Sequence, residues 1–373
     1  MLIPHLGGGG AEQVMALLAR GLSCEKYELH LGLLTQADAG AGQFPPWVTV
    51  HPLAAARVRT GAFRLLRLVY QVKPKLILSG MWHQNFLALL LRPFFPYGTR
   101  VVVRQNATVS SALDFGDLPG YTRLLYRLLY PHADRVICQT RAMARDLAGE
   151  LGIPQERLAV LQNPVDVNAI RAAAKSSPCQ WNGKDSDART PHLLAVGRLS
   201  REKGFDLLLR SLVTVQQRFP SAELVIAGVG AQEAALKAEC RQLGLEAAVR
   251  FVGHVPLPST YYPGASVFVV PSRHEGMPNS MLEAAAGGLP IVALPASEGM
   301  VDLLRGQPGA WLAPEISAES LADSLLTALE ELRPGERFAH AFIGQFRIER
   351  AIRAYEEFID ATISGSSIKQ GQA

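Results

Sequence analysis

The sequence predicts an α/β protein of two domains, each built on a parallel β-sheet covered by helices. Short apolar, β-rich segments alternate with amphipathic helical segments along nearly the whole chain, which is typical of such sheets. The length of 373 residues exceeds the needs of one ordinary hydrophobic core. A polar segment rich in turn-forming residues interrupts the alternation near the middle. The predicted organisation is a first domain over 1–175, a linker over 176–190, a second domain over 191–344, and a C-terminal stretch over 345–373 with a helix packing back towards the first domain.

The individual elements follow from apolar periodicity. In the first half, strands are predicted at Leu2–Leu6, Glu28–Thr35, Val48–Leu53, Lys75–Gly80, Arg100–Arg104, Arg135–Gln139 and Ala159–Gln162. Helices are predicted between them, notably at Ala62–Val72, Gln84–Leu91, Tyr121–Tyr130 and Arg141–Leu151. In the second half, strands are predicted at Leu193–Gly197, Leu224–Gly230, Val249–Val255, Val267–Pro271, Pro290–Leu294 and Ala310–Ala313.

Composition narrows the class of protein. A hydrophobic content of 48% and a charged content of 19% describe a packed globular chain and exclude a disordered one. No apolar run reaches the roughly 18 residues that a membrane-spanning helix needs. The four cysteines lie far apart, without metal-binding spacing, and the N-terminus lacks the basic lead of a secretory signal. We therefore expect a cytoplasmic protein.

The charge is unevenly distributed. Residues 1–183 carry 19 Lys+Arg against 11 Asp+Glu, whereas the whole chain carries 37 against 33. A basic first half fits an anionic partner, either a phospholipid surface or a phosphorylated acceptor, or simply a solvated surface. The arginine-rich helices at Phe63–Tyr70 and Tyr121–Tyr130 can lie on an anionic membrane, or face the core with an ordinary basic outer side. No nucleic-acid-binding motif accompanies the charge, so nucleic acid is not expected.

The most informative stretch is the βαβ unit from Val267 to Leu294. Two carboxylates, Glu275 and Glu283, stand where its first strand ends and its helix begins, which is where ligands bind in open α/β sheets. Backbone N–H groups at a helix start favour an anionic ligand, and the carboxylates suit sugar hydroxyls. The alternative for Ser280-x-x-Glu283 is a capping box that only begins the helix.

Other strand exits carry further candidates. Four glycines, Gly7–Gly10, separate the first strand from an amphipathic helix and either let backbone approach a phosphate or form a flexible turn. Arg198 and Lys203 flank a strand exit facing a helix start, where a diphosphate would fit, although each could be a solvated charge. Gly228-x-Gly230 lacks the third glycine of a dinucleotide fingerprint, so it supports such a site weakly.

Two clusters leave strands of the first half. His83 follows the strand that ends at Gly80, and Arg104 and Asn106 follow the strand beginning at Arg100. Because both strands are predicted to end at the same edge of the sheet, these side chains are candidates for the acceptor side of a shared cleft. Ordinary hydrogen bonding within loops is the alternative for each of them.

Taken together, these motifs resemble the retaining family 4 glycosyltransferases of the GT-B fold, in the bacterial surface-polysaccharide type. The resemblance rests on GGGGAEQV, VGRLSREKGFDLLLRSL and PSRHEGMPNSMLEAAAGGLPIVA, with its Glu-x7-Glu spacing, and covers nearly the whole chain. It implies two Rossmann-like domains whose parallel sheets face each other across a cleft that holds a nucleotide-sugar. The first strand is shorter than in the family, and Arg104-Gln105-Asn106 stands where many members have a histidine.

The resemblance also implies roles for individual residues. Arg198 and Lys203 would neutralise the donor's diphosphate, Glu283 would hold the ribose hydroxyls and Glu275 the sugar hydroxyls. The base would stack near Gly253, His254 and Val255. The remaining donor-binding candidates are the backbone around Gly8, Gly9 and Gly10 and the stretch Gly276, Met277, Pro278, Asn279 and Ser280. No metal and no cofactor are expected, because the two cations take the part that Mg²⁺ plays elsewhere.

The expected activity is transfer of a hexose or N-acetylhexosamine, with retention, from a nucleoside-diphosphate sugar, with UDP as the expected nucleotide. The expected acceptor is a lipid-linked saccharide or surface-polysaccharide precursor, on the inner face of the cytoplasmic membrane. The alternatives are a transferase acting on a small metabolite, a catalytically impaired subunit that binds nucleotide-sugars for a partner enzyme, and a dehydrogenase.

Overall fold

The computed structural model describes residues 1–5, 9–34, 44–53, 58–116, 118–176, 181 and 190–366. The chain divides into two compact units, the first formed by Met1–Pro164 with Ile348–Ala373 and the second by Val165–Arg347. Each unit holds one parallel sheet covered by helices. The predicted α/β class with two Rossmann-like domains is therefore confirmed.

Thirteen strands are present in the described part of the chain. The first unit contains β1 (Leu2–Ile3), β2 (Leu29–Leu33), β3 (Val48–Pro52), β4 (Leu76–Ser79), β5 (Arg100–Arg104), β6 (Arg135–Cys138) and β7 (Leu158–Val160). The second contains β8 (His192–Val196), β9 (Glu223–Ala227), β10 (Val249–Gly253), β11 (Val267–Val270), β12 (Ile291–Ala293) and β13 (Ala310–Leu312). The central strands of each sheet are near-continuous apolar runs, as expected for parallel strands buried on both faces, whereas the edge strands β3, β10 and β13 are only partly buried.

Helices connect and cover the strands. They are α1 (Gly10–Gly21), α2 (Val58–Val72), α3 (Trp82–Leu91), α4 (Val109–Asp114), α5 (Thr122–Leu129), α6 (Arg141–Leu151), α7 (Val167–Ser176), α8 (Phe205–Arg218), α9 (Glu233–Gln242), α10 (Asn279–Ala286), α11 (Glu298–Leu304), α12 (Ala318–Glu331) and α13 (Ile348–Ser364). In the first unit, α2, α3, α5 and α6 share one core beneath the sheet, while α1 and α13 pack on the other face. In the second, α8, α9 and α12 cover one face and α10 and α11 the other.

Strand order locates the position where each unit can bind a ligand. The first sheet runs β3-β2-β1-β4-β5-β6-β7 and the second β10-β9-β8-β11-β12-β13, with every pair parallel. The order reverses between β1 and β4 in one sheet and between β8 and β11 in the other. Connections leave such a point in opposite directions, which opens a crevice at the carboxyl ends of the strands.

The second unit begins earlier than the predicted linker. The division falls at Pro164, whereas the first domain was predicted to reach residue 175. Val165 donates its N–H to the Phe346 carbonyl at 2.7 Å, and Arg171 Nε in α7 donates to the Ala286 carbonyl at 2.9 Å, so this segment packs within the second unit. Within the predicted linker, Trp181 is buried and donates to the Tyr261 carbonyl at 2.9 Å, while 177–180 and 182–189 lie outside the described residues.

The C-terminal helix belongs to the first unit. Along α13, Glu356 pairs with Lys26 at 2.9 Å and accepts the Ser23 N–H at 2.9 Å, while Asp360 accepts the Tyr27 hydroxyl at 2.6 Å. The buried side of the helix adds Tyr355, Phe358 and Ile359 to the core shared with α1. Both ends of the chain are therefore parts of one unit, and the second unit is inserted between them.

Candidate nucleotide-sugar site

An ion pair lies at the switch point of the second sheet, where the strand order reverses between β8 and β11. Lys203, which follows β8, places its Nζ 2.5 Å from Oε1 of Glu275, which follows β11. The Ser272 hydroxyl donates to the same oxygen at 2.8 Å. Both charged side chains are largely buried, and they line a small recess together with Val196, Phe205, Ser272 and Ser280. The site thus brings together two of the predicted catalytic residues. Both contacts use Oε1 of Glu275, and neither uses Oε2.

A second charged pair fastens the two loops that carry Lys203 and Glu275. Arg273 forms a two-pronged ion pair with Asp206 at 2.7 and 2.5 Å, which joins the β11–α10 loop to the first turn of α8. The Arg273 guanidinium also donates to the Arg201 carbonyl at 3.0 Å, and the backbone N–H of Arg273 donates to the Glu202 carbonyl at 2.8 Å. This pair holds the pKa of Asp206 below its ordinary value, against the opposing effect of burial. The two loops therefore form one connected structure.

Gly204 permits the close approach of these loops. It has φ +65°, and a Cβ built on it would lie 1.9 Å from the Pro271 carbonyl oxygen. A side chain at this position would force apart the backbone segments that carry Lys203 and Glu275. Only glycine fits at position 204, because the two loops approach each other so closely there.

The start of α10 presents backbone donors to the same recess. The helix begins at Asn279, and Pro278 occupies the N-cap without a side-chain cap. The capping box proposed as an alternative for Ser280 and Glu283 is therefore wrong, because Ser280 lies inside the first turn. Among the described residues, the amides of Gly276, Met277 and Ser280 have no hydrogen-bond acceptor. Free N–H groups at a helix N-terminus attract anions.

Glu283 lies one turn further along α10, on the same side of the helix as Ser280. Burial raises the pKa of its carboxyl to about 7, and its charge in turn helps to raise the pKa of the buried Tyr262. The carboxylate makes no hydrogen bond or ion pair with any residue that the structure describes. A largely desolvated acid without a partner in the protein is an arrangement suited to a ligand that donates hydrogen bonds.

Arg198 stands on the β8–α8 loop and its side chain is exposed. Its guanidinium forms no ion pair within the described ranges, so its charge is available to a ligand. The neighbouring glycines of Gly228-x-Gly230 have a packing role: a Cβ at Gly228 would lie 1.8 Å from the Gly197 carbonyl oxygen, and one at Gly230 2.3 Å from that of Leu199. They let the β9–α9 loop pack closely on the β8–α8 loop, which explains their presence without a dinucleotide fingerprint.

The predicted base-binding stretch lies at the edge of the sheet. Gly253 ends β10 with φ +70° and accepts the Gly228 N–H at 2.7 Å, and His254 after it is exposed. The end of β10 is two strands from β8. At about 4.8 Å per strand, the two exits are roughly 10 Å apart along the sheet.

In the first unit, the glycine loop meets a carboxylate. Gly9 is the N-cap of α1 and Gly10 its first residue, while Gly8 lies outside the described residues. Glu12, which is buried, places its carboxylate against this loop, where a Cβ on Gly9 would lie 2.0 Å from Oε2. Glu12 therefore already supplies negative charge at the positive end of the helix, which disfavours a phosphate and favours a hydroxyl group there.

The three acceptor-side candidates differ in accessibility. His83 lies in the first turn of α3 and is accessible; partial burial lowers the pKa of its imidazole, with Glu12 opposing and His5 reinforcing that shift. Arg104 is fully buried and bonds Asn106 Oδ1 and Asn163 Oδ1, and Asn106 also donates to the Gly80 carbonyl at 2.5 Å. Arg104 and Asn106 thus join the ends of β4, β5 and β7, which leaves His83 as the exposed group.

Sequence reasoning missed Glu12, Ser272 and the Arg273–Asp206 pair. Glu12 stands inside the recognised GGGGAEQV motif, and its position in the first turn of α1 was the available signal. The partners Arg273 and Asp206 are 67 residues apart, so no local pattern links them. No group of three or more potential metal-binding side chains occurs in the described ranges. The one Asp-x-Asp pair of the sequence, Asp185-Ser-Asp187, falls within the predicted linker and lies outside the described residues. No described helix is long and apolar enough to cross a membrane.

Two family models match the chain, one mainly in the first unit and one within the second. "Glycosyltransferase Family 4" matches residues 8–169 and "Glycosyl transferases group 1" matches residues 190–331. The Campylobacter jejuni protein named N-acetylgalactosamine-N,N'-diacetylbacillosaminyl-diphospho-undecaprenol 4-alpha-N-acetylgalactosaminyltransferase is 27% identical over 345 residues, 89% of this chain and 90% of its own. The lipopolysaccharide core biosynthesis glycosyltransferase LpsE of Rhizobium meliloti is 28% identical over 248 residues, 65% of this chain and 68% of its own.

A solved structure shows the same fold at low sequence identity. The Anabaena protein HepE, in complex with UDP and glucose, superposes with a TM-score of 0.79 at 17% identity, over 96% of this chain and 98% of that one. The two parallel-sheet units and the two family matches agree with the resemblance found in the sequence motifs. The chain therefore belongs to the family 4 (group 1) glycosyltransferases and has their GT-B fold.

Proposed function

We propose that this glycosyltransferase moves a hexose or N-acetylhexosamine from a nucleoside-diphosphate sugar, with UDP as the proposed nucleotide, to a lipid-linked saccharide or surface-polysaccharide precursor. The observation that carries the proposal is the Lys203–Glu275 pair at the switch point of the second sheet, beside the open amides of α10. The names of relatives that act on a diphospho-undecaprenol acceptor or in lipopolysaccharide core synthesis support the acceptor class. A neighbour of this fold in complex with UDP and glucose supports the donor class.

The donor is proposed to lie across the carboxyl ends of β8, β11 and β10. Its diphosphate would meet Arg198, Lys203 and the amides of Gly276, Met277 and Ser280, which offer two charges and three backbone donors. The ribose hydroxyls would donate to Glu283, and the base would lie towards Gly253–Val255, about 10 Å away. Glu275 would accept from the sugar hydroxyls through the oxygen that Lys203 and Ser272 leave open.

The proposed chemistry breaks the bond between the anomeric carbon and the diphosphate oxygen. Positive charge then develops on the sugar and negative charge on the leaving group, which Arg198, Lys203 and the helix amides stabilise by roughly a few kcal/mol per donor. The acceptor hydroxyl bonds to the same face of the anomeric carbon, and its proton passes to the leaving phosphate oxygen. This gives retention of configuration without a covalent enzyme intermediate and without a metal ion.

On the acceptor side, His83 is the proposed contact, because it is exposed near the switch point of the first sheet, close to Glu12. Arg104 and Asn106 are proposed to hold this edge in shape through their hydrogen bonds. A lipid-linked acceptor places the reaction at an anionic membrane, on the cytoplasmic face where nucleotide-sugars are made. The protein would then be peripheral to that membrane.

A thermal-shift panel of nucleotide-sugars tests the donor proposal. The preferred donor should raise the unfolding midpoint by mass action, and Arg198→Ala should remove most of that rise. Arg201→Ala is the matched control, because Arg201 is an exposed arginine of the same loop and should leave the rise intact. Equal losses in the two variants, or no response to any nucleotide-sugar, would refute the donor site. Binding without sugar transfer would instead favour the catalytically impaired subunit.

A further inference from the structure

Two helices in the first unit carry large apolar side chains that are exposed to solvent on their outer sides. Phe63 and Tyr70 on α2, with Tyr121, Leu124 and Leu128 on and just before α5, are each more than half exposed. They recur at spacings of three, four and seven residues, so those on each helix lie along one stripe. We call these five residues the apolar stripe of the first unit.

The two helices present their stripes on the same side of the unit. Helix α3 packs between α2 and α5, and all three contribute buried residues to one core beneath the sheet. Tyr126 on the inner side of α5 is fully buried, and Leu65 on the inner side of α2 is only 1% exposed. Because both helices bury their opposite faces against one sheet, their outer faces point the same way.

Basic residues are neighbours of the apolar stripe along the chain. Residues 63–132 carry nine Lys+Arg and only two Asp+Glu, although Arg104 is fully buried and Arg92 and Arg100 pair with Asp134. Arg67, Lys73 and Lys75 are exposed and form no ion pair with any described residue. Arg123 pairs with the Glu150 carboxylate at 2.8 Å, whereas Arg127 donates only to the Glu150 backbone carbonyl at 3.3 Å and pairs with no carboxylate among the described residues. The region therefore has a strong excess of positive charge.

We propose that this face binds the surface of an anionic phospholipid bilayer. The leucine and aromatic side chains would enter the boundary between headgroups and acyl chains, and the lysines and arginines would meet lipid phosphates. Two copies of this chain are a poor occupant, because face-to-face contact would bring like charges together. The inference deepens the proposed function and rests on its lipid-linked acceptor, since it supplies the membrane contact that such an acceptor requires.

Co-sedimentation with vesicles tests the proposal on the full chain. The protein should bind vesicles containing phosphatidylglycerol, bind phosphatidylcholine vesicles far more weakly, and lose affinity as salt increases. Arg67→Gln, Lys73→Gln and Lys75→Gln combined should weaken binding about a hundredfold, at about fivefold per charge. Leu124→Ser with Leu128→Ser should weaken it about tenfold. The control is Leu257→Ser with Ile316→Ser, which changes two exposed apolar residues of the second unit and should leave binding unchanged.

The same variants separate this inference from the proposed function. Their donor-induced thermal shifts should equal that of the parent protein, because the proposed donor residues lie in the second unit. Loss of vesicle binding with an intact donor response supports the membrane face. Equal vesicle binding by the parent and both sets of variants would overturn it, as would concentration-dependent dimerisation that the leucine variants abolish in the absence of lipid. Absence of any donor response in the parent protein would instead refute the proposed function.

Discussion

Replacing Glu283 with glutamine should stabilise the empty protein while weakening its hold on the donor. Burial raises the pKa of this carboxyl to about 7 from an ordinary value of 4.5, so the folded protein favours the neutral form. That stability is fully present below about pH 4.5 and is lost as the pH rises through 7. At 1.36 kcal/mol per pH unit, the loss is at most about 3 kcal/mol, and less where water still reaches the carboxylate.

Glutamine resembles the neutral acid and carries no charge at any pH. Glu283→Gln should therefore raise the unfolding midpoint at pH 8 by up to about 10 °C, given roughly 2–4 °C per kcal/mol for a unit of this size. At pH 5 the gain should fall to about a quarter, because Glu283 is then neutral in the folded parent protein and only its ionisation in the unfolded chain still favours unfolding. Thermal unfolding at both pH values, without ligand, measures this difference.

The control for this prediction is Glu246→Gln, since Glu246 is an exposed glutamate of the same unit. It should change the midpoint little at either pH. Addition of the preferred donor should raise the unfolding midpoint of Glu283→Gln by less than that of the parent protein, because a neutral amide accepts weaker hydrogen bonds from ribose hydroxyls. A gain of equal size at pH 5 and pH 8, or a loss of stability at pH 8, would show that the carboxylate is not held in a desolvated, unpaired state.

Three further perturbations address the loops around the recess. Arg273→Ala or Asp206→Ala should lower kcat at least tenfold and the free energy of unfolding by about 1–3 kcal/mol, because each leaves a half-buried charge unpaired. Partial recovery of kcat in the charge-exchanged Arg273→Asp/Asp206→Arg protein would show that the pair acts by positioning Lys203 and Glu275. Gly204→Ala should lower the free energy of unfolding, measured by chemical denaturation, by more than about 2 kcal/mol. The control is Gly244→Ala, which has a similar φ of +71° but nothing within 4 Å of its Cβ and should lose only about 1 kcal/mol. Similar losses in the two variants would contradict the close contact with Pro271. Lys203→Met should abolish transfer while leaving the fold intact, and retention of more than a tenth of the parent kcat would remove Lys203 from the proposed machinery.

Local pattern was sufficient for the architecture. The alternation of apolar strands with amphipathic helices predicted both parallel sheets, because parallel strands buried on both faces read as short continuous apolar runs. Strand exits at Lys203 and Glu275 were also identified from sequence, and the structure brings these two side chains into contact. Motif order along the chain was sufficient because a Rossmann-like strand order brings β8 and β11 together.

Contacts between distant segments could not be predicted in the same way. The Arg273–Asp206 pair and the approach of Gly204 to Pro271 depend on how two loops pack, which no periodicity encodes. The end of the first unit was placed at residue 175 because polar composition marks linkers, but the chain passes to the second unit at Pro164 and packs there through α7. The capping box at Ser280 matched its motif, yet the N-cap of the helix is Pro278, two residues earlier.

The chain path through the two units has a practical consequence. Val165 and Arg347, the first and last residues of the second unit, form a parallel bridge, so this segment of sequence starts and finishes at one place. A gene fragment covering 165–347 should therefore encode an autonomous module whose termini need no artificial joining. Such a module would carry every residue assigned here to the diphosphate, ribose and base, and would allow nucleotide titrations by NMR on about half the mass of the parent chain.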